Sequence, residues 1–189
     1  MNEVNFWYYL RDMTQLILSP VNGWEDAEAD DFDSHQLLTR GLLPFLALTA
    51  ATVFVGLFYY HEAPISSFIA QSIICFIKYL ATYYFAIFFF TLYLPVCIDG
   101  ELSVNKLNTF VNYGVGMLAF INILTNCLPV DLAFLYILPA YVAFVLWRGL
   151  YYLNISFDGV SKFIVLILLA IIAPPYLLQY LFNFIIPAV

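Results

Sequence analysis

Apolar residues run in five long blocks along the chain, at about 41–60, 65–98, 107–128, 132–153 and 163–186, with short polar gaps between them. A helix rises about 1.5 Å per residue, so about 20 apolar residues cross the roughly 30 Å hydrocarbon layer of a bilayer. Helices on a water-facing surface keep a polar face; these blocks are apolar all round. The pattern predicts an all-α polytopic membrane protein, a five-helix transmembrane bundle over residues 41–189 behind a polar lead-in at 1–40. Pro44 falls in the first turn of the first crossing, where its missing amide does little harm. Only Pro129, Val130 and Asp131 separate the third and fourth blocks, which predicts an antiparallel hairpin, and Pro139 predicts a mild kink in the fourth.

The lead-in has its own pattern. Residues 4–18 place Phe6, Leu10, Met13 and Ile17 on one helical stripe, with Arg11, Asp12, Thr14 and Gln15 elsewhere around the wheel. This predicts an N-terminal cytosolic amphipathic helix, lying in the membrane interface with Trp7, Tyr8 and Tyr9 at headgroup level or docked on the underside of the bundle. Ser19-Pro20 ends it or starts a new helix. Between Glu25 and Asp33 six of nine residues are carboxylates, without the glycine and terminal Glu of a calcium loop, so the stretch reads as a solvated acidic linker.

Three blocks carry polar exceptions. The second is too long for one upright crossing and contains Lys78. Either residues 65–77 lie against the interface and the crossing starts at about Tyr79, or one long tilted helix carries Lys78 inside the bundle. An ammonium near the bilayer centre costs at least about 2.5 kcal/mol, which favours the first arrangement. In the third block Asn108, Asn112, Asn122 and Asn126 share an arc of about 80° with Val115 and Ala119. Amides and small residues let helices approach and hydrogen-bond in lipid, so this face is expected to point at protein; the alternative is a polar groove lining a substrate path. Pro174 and Pro175 fall in the middle of the fifth block, where two missing amides predict a sharp kink or break.

Charge sets the expected orientation. Five of the six basic residues, Arg11, Arg40, Lys106, Arg148 and Lys162, fall in gaps on one side, and Lys78 is the exception. The positive-inside rule then places the N-terminus in the cytoplasm and the C-terminus outside, in a bacterial cytoplasmic membrane. The opening lacks the basic start and apolar core of a cleavable leader, so the first crossing is expected to be retained. Net charge is −7, but eight of the thirteen acids lie in the first 33 residues. That acidic tail opposes anionic headgroups and gives no footprint for nucleic acid.

Candidate chemistry is sparse. Cys75, Cys97 and Cys127 form no metal-ligand spacing, and Cys97 and Cys127 fall at opposite faces, too far apart for a disulfide. His61-Glu62 lacks the second histidine of H-E-x-x-H, and His35 lies in the acidic segment away from any apolar pocket. Asp99 and Glu101 read as a polar turn. Asn154-Ile155-Ser156 matches the glycosylation tripeptide but falls on the cytoplasmic side. No cofactor or metal is expected.

Three passages, LILSPVNGWEDA, WRGLYYLNIS and LLAIIAPPYLLQYL, together resemble the bacterial branch of the Yip domain family, small five-span proteins related to the Ypt-interacting proteins of eukaryotic trafficking. Pro20 and Trp24 match the lead-in pattern, and Arg148-Gly149 the polar end of the fourth span. The resemblance implies a non-enzymatic membrane protein that scaffolds or organises partners, or self-associates. The Asp-Leu-Tyr-Gly-Pro motif of eukaryotic members is absent, with only Asp99-Gly100 at the comparable loop, so a Rab-type GTPase partner is not expected. The alternative is a small transporter or lipid-handling protein using Lys78, the asparagine stripe and the broken fifth helix. A membrane enzyme would need His61, Glu62 and Lys78 to converge at the outer face.

Overall fold

A computed structural model describes residues 5–30, 32–59, 64–97, 103–128 and 133–185. Those residues form a helical protein without strands. Two short helices, α1 (Phe6–Leu18) and α2 (Pro20–Asp30), precede five apolar ones: α3 (Ser34–Phe58), α4 (Ile65–Tyr93), α5 (Val104–Cys127), α6 (Phe134–Arg148) and α7 (Phe157–Ile185). Helices α3, α4, α5 and α7 are long and apolar enough to cross a membrane. The loops carrying His61, Glu62, Asp99, Glu101 and Asp131 lie outside the described residues.

Helix starts follow the local chemistry. Asn5 accepts from the Tyr8 amide at α1, Asp33 from the His35 amide at α3, and Ser156 from the Gly159 amide at α7. Each satisfies a donor that the first turn leaves without an intrahelical partner. Pro20 opens α2, where a missing amide is tolerated, so Ser19-Pro20 does divide two helices. Helix α2 then carries the acidic stretch as far as Asp30.

Helix α5 is the hub, packed against α1, α3, α4, α6 and α7. Gly114, Val115, Gly116 and Ala119 sit on it, and all are buried. The basic end of the bundle is sealed by an aromatic cluster in which Trp24 stacks on Phe110 at 5.2 Å and lies 5.1 Å from Tyr152. Phe110 in turn meets Phe163 at 5.6 Å and Phe90 at 5.9 Å.

Several expectations need correction. The second apolar block is a single helix from Ile65 to Tyr93 with Lys78 near its middle, because Lys78 finds partners inside the bundle and has no need of the interface. Among the described residues of the fourth block the helix runs over Phe134–Arg148; Gly149 to Asn154 are tight turns in which Asn154 takes a left-handed φ of 53°. Pro139 stands in the first turn of the regular part of α6, so no mid-helix kink arises.

The paired prolines do not break α7. A wide π-type turn over Leu168–Ile172, with the Ala173 amide reaching back to Leu168, precedes Pro174 and Pro175. Widening the helix there relieves the clash between each ring and the preceding turn. The same device precedes Pro44, which lies inside α3 and not at its start: residues Leu37–Leu42 form a π turn and the Leu43 amide bonds Leu38. Helix α1 is also rotated from its expected setting. Tyr9, Met13 and Leu16 form its buried stripe, so of the two expected placements the docked one holds, with Tyr9 wholly enclosed against Phe45 and Tyr113.

Candidate functional site

Lys78 is the one basic residue that the sequence leaves out of the polar gaps, and α4 carries it into the interior, where it is 8% exposed. Its Nζ donates to Oδ1 of Asn122 on α5 at 2.7 Å and to Oε1 of Gln179 on α7 at 2.9 Å. The ammonium also sits 5.0 Å from the centre of the Tyr79 ring. No carboxylate among the described residues pairs with it. Two neutral carbonyl oxygens therefore satisfy two of its three donors and leave its charge uncancelled.

Those two oxygens begin a longer network. Asn122 Oδ1 also accepts from the Tyr79 hydroxyl at 3.1 Å, and its Nδ2 donates to Asn126 at 3.1 Å. Asn126 donates to the Thr52 hydroxyl of α3 at 3.0 Å. On the other side, Gln179 donates to Asn183 at 2.9 Å and, more weakly, to Gln71 of α4 at 3.4 Å. The network ties α3, α4, α5 and α7 together, and polar groups in a membrane interior persist when bonded in this way. Helical spacing does the positioning: Asn122 with Asn126, and Gln179 with Asn183, are i, i+4 pairs on one face of their helices.

The cluster lines open space. A cavity of about 460 Å³ is bordered by Ser67, Gln71, Cys75, Lys78, Asn126 and Gln179, with Val53, Gly56 and Tyr59 from the end of α3. A second cavity, of about 380 Å³, lies against Lys78, Asn122, Gln179 and Tyr79 on one side and Leu135, Pro139 and Pro175 on the other. Both volumes fall in the range of about 300 to 1,000 Å³ common for small-molecule sites.

The asparagine stripe thus divides. Asn122 and Asn126 join Lys78; Asn108 lies toward the basic end, where its Nδ2 reaches the Ser34 hydroxyl at 3.5 Å and its Oδ1 has no partner among the described residues. Asn112 is completely buried, and neither of its amide atoms has a partner among the described residues. Pro175 borders the second cavity, while Pro174 is buried beside it without lining the space. Of the resemblance-bearing positions, Pro20, Trp24, Arg148 and Gly149 lie at the opposite end, while the third passage brings Pro175 and Gln179 to this one. Trp24 donates to the Val145 carbonyl at 2.9 Å, and a Cβ on Gly149 would come within 3.0 Å of the Trp24 ring. Pro20 starts the helix that carries Trp24, and the exposed Arg148 guanidinium lies over Phe144 and Trp147.

Gln179, Gln71, Tyr79 and Thr52 were absent from the sequence-derived candidates. Gln179 had a usable signal, because it and Asn183 are the only amides in the fifth apolar block, one helical turn apart. Gln71 had one of the same kind, as the sole amide of the second apolar block and two helical turns before Lys78; Thr52 carried none that sets it apart. His61 and Glu62, the other members of the enzyme hypothesis, lie outside the described residues. No family model, characterised protein or solved structure matches the chain.

Proposed function

We propose that this chain is a non-enzymatic integral membrane protein with five crossings and a cytoplasmic N-terminus, and that it acts as a small transporter or lipid-handling protein around Lys78. The single observation that carries the reading is a buried ammonium held by the Asn122 and Gln179 carbonyls at the edge of two cavities. A charge in a membrane interior costs free energy and persists where function uses it. Helix α6, short as it is, supplies the fifth crossing: it runs back along α5 and α7, delivering Val145 and Leu146 to the end where Trp24 and Gly114 lie. Arg40, Lys106, Arg148 and Lys162 then share one end, consistent with a cytoplasmic face in a bacterial membrane.

The test is reconstitution. Liposomes containing the full chain, or its Lys78→Met variant, are loaded with a small anionic dye and a fluorescent phospholipid in the inner leaflet. The reading expects one of the two to cross at a rate that falls at least tenfold in the variant. If neither crosses above protein-free liposomes, it fails.

A second reading, the Yip-like scaffold, is favoured by one observation: two of the residues that carry the resemblance, Trp24 and Gly149, pack against each other. Gentle purification followed by identification of co-isolated membrane proteins tests it. A chain that comes out alone and retains Lys78-dependent transport would remove its basis.

A further inference from the structure

The two cavities that share Lys78 differ in character. The first presents the hydroxyl or amide groups of Ser67, Gln71, Asn126 and Thr125. The second adds Leu118, Ile121, Leu135, Pro139 and Pro175, with the rings of Tyr79, Tyr136 and Tyr176. Lys78, Asn122, Thr125 and Gln179 line both, so the ammonium stands at the junction of a more polar space and a more apolar one.

Electrostatics selects the sign of an occupant. No described carboxylate lines either cavity, and both groups that bond Lys78 are uncharged. Gln71 receives a hydrogen bond through its oxygen, while its amide nitrogen donates to no described group and lies on the same polar wall. An ammonium with a third donor to give, beside an unused amide donor, is complementary to an oxyanion. Polarity selects the rest. A small inorganic anion would fill the polar space and leave the leucine, isoleucine and proline wall wetted, whereas burying hydrocarbon against that wall is favourable by about 25 cal/mol per Å².

We propose that the paired cavities bind one anionic amphiphile, with its phosphate or carboxylate against Lys78, its polar portion in the first cavity and its hydrocarbon portion in the second. The proposal rests on the solute- or lipid-handling reading and names the class of molecule handled. The shared chemistry, an oxyanion on a hydrocarbon tail, is that of an acidic phospholipid or of a free fatty acid.

Binding measurements on the full chain in a neutral detergent separate the possibilities. The probes are dihexanoyl phosphatidylglycerol, decanoate, inorganic phosphate and dihexanoyl phosphatidylcholine. Each is titrated into wild type, Lys78→Arg, Lys78→Met and Ile121→Trp, whose new ring fills the apolar cavity only. At least one anionic amphiphile should bind ten times more tightly than phosphate or the zwitterionic lipid. Its affinity should persist in Lys78→Arg and fall at least tenfold in both Lys78→Met and Ile121→Trp. Whether phosphatidylglycerol or decanoate binds more tightly assigns the source. Cooperative thermal melts of Lys78→Met and Ile121→Trp in the same detergent separate loss of the site from failure to fold. Phosphate binding as tightly as the amphiphiles, insensitive to Ile121→Trp, would overturn the amphiphile and leave an anion-handling protein. Equal binding of all probes to wild type and Lys78→Met would overturn the site, and the liposome measurement then decides separately whether the transport reading survives.

Discussion

Lys78 on α4 donates to Gln179 on α7 at 2.9 Å, so one charged hydrogen bond joins the helix that the sequence marks as exceptional for its lysine to the one marked by its prolines. Removing either partner has opposite consequences. Gln179→Leu leaves the ammonium with one acceptor fewer and should destabilise the protein by about 1.5–3 kcal/mol, the range for hydrogen bonds to charged groups. Lys78→Met removes the buried charge and should be neutral or stabilising. In the Lys78→Met background Gln179→Leu should then cost no more than about 0.5 kcal/mol. Thermal unfolding in detergent of the four proteins of this cycle checks it, and an undiminished Gln179→Leu effect without Lys78 would refute the coupling.

Tyr9 and Gly116 meet where α1 lies on α5. A Cβ added at Gly116 would stand 2.1 Å from the Tyr9 hydroxyl, and that hydroxyl has no hydrogen-bond partner among the described residues. Gly116→Ala should therefore cost on the order of 1 kcal/mol, overpacking outweighing the gain in helix propensity. Tyr9→Phe deletes an unsatisfied buried hydroxyl and should be neutral or better. Combined, the two should recover most of the loss. Failure of Tyr9→Phe to relieve Gly116→Ala in thermal melts would show that α1 does not sit as described.

Trp24 fastens the acidic helix α2 to the bundle through its stack on Phe110 and its bond to the Val145 carbonyl. Trp24→Ala should cost about 3–5 kcal/mol, the usual range for a buried tryptophan. Limited proteolysis should show the consequence as faster cleavage within residues 20–33. Cleavage unchanged in rate would mean that α2 is held by other contacts.

Asp12 gives the docking of α1 a pH dependence. Its carboxyl is pushed up by burial against the bundle, a shift that the hydrogen bond and charge of Arg11 oppose without cancelling. Because the docked state binds the proton more tightly than the free one, stability is greatest below the unfolded value near 3.9. It falls as pH rises from there through the raised value. Asp12→Asn keeps an acceptor for the Tyr113 hydroxyl, now 3.3 Å from the carboxylate, and should abolish the dependence. Hydrogen exchange of the α1 amides, corrected for intrinsic rates, measures it; the same slope in both proteins would exclude Asp12 as the cause.

Much of this molecule was legible in its linear pattern. Apolar length alone marks helices Ser34–Phe58, Ile65–Tyr93, Val104–Cys127 and Phe157–Ile185, because a stretch with no polar face has no stable arrangement in water. Ser19-Pro20 fixed a boundary through backbone sterics, which act locally. The spacing of Asn122 and Asn126 put two amides on one face for the same reason.

What the pattern could not contain is who stands opposite whom. The sequence assigned Lys78 to an interface because its cost was reckoned without the Asn122 and Gln179 carbonyls, 44 and 101 residues away. It expected a sharp kink or break at Pro174-Pro175; the helix continues through them across a π turn that the local sequence does not announce. It left α1 either at the headgroups or docked on the bundle, because its aromatic residues suit both; a stack of Tyr9 on Tyr113 at 5.6 Å and the absence of a side chain at Gly116 decide for docking. Helix and bilayer follow from local polarity and length, which the sequence carries in order. The site depends on long-range pairing of a charge with neutral partners, and only the tertiary structure decides that.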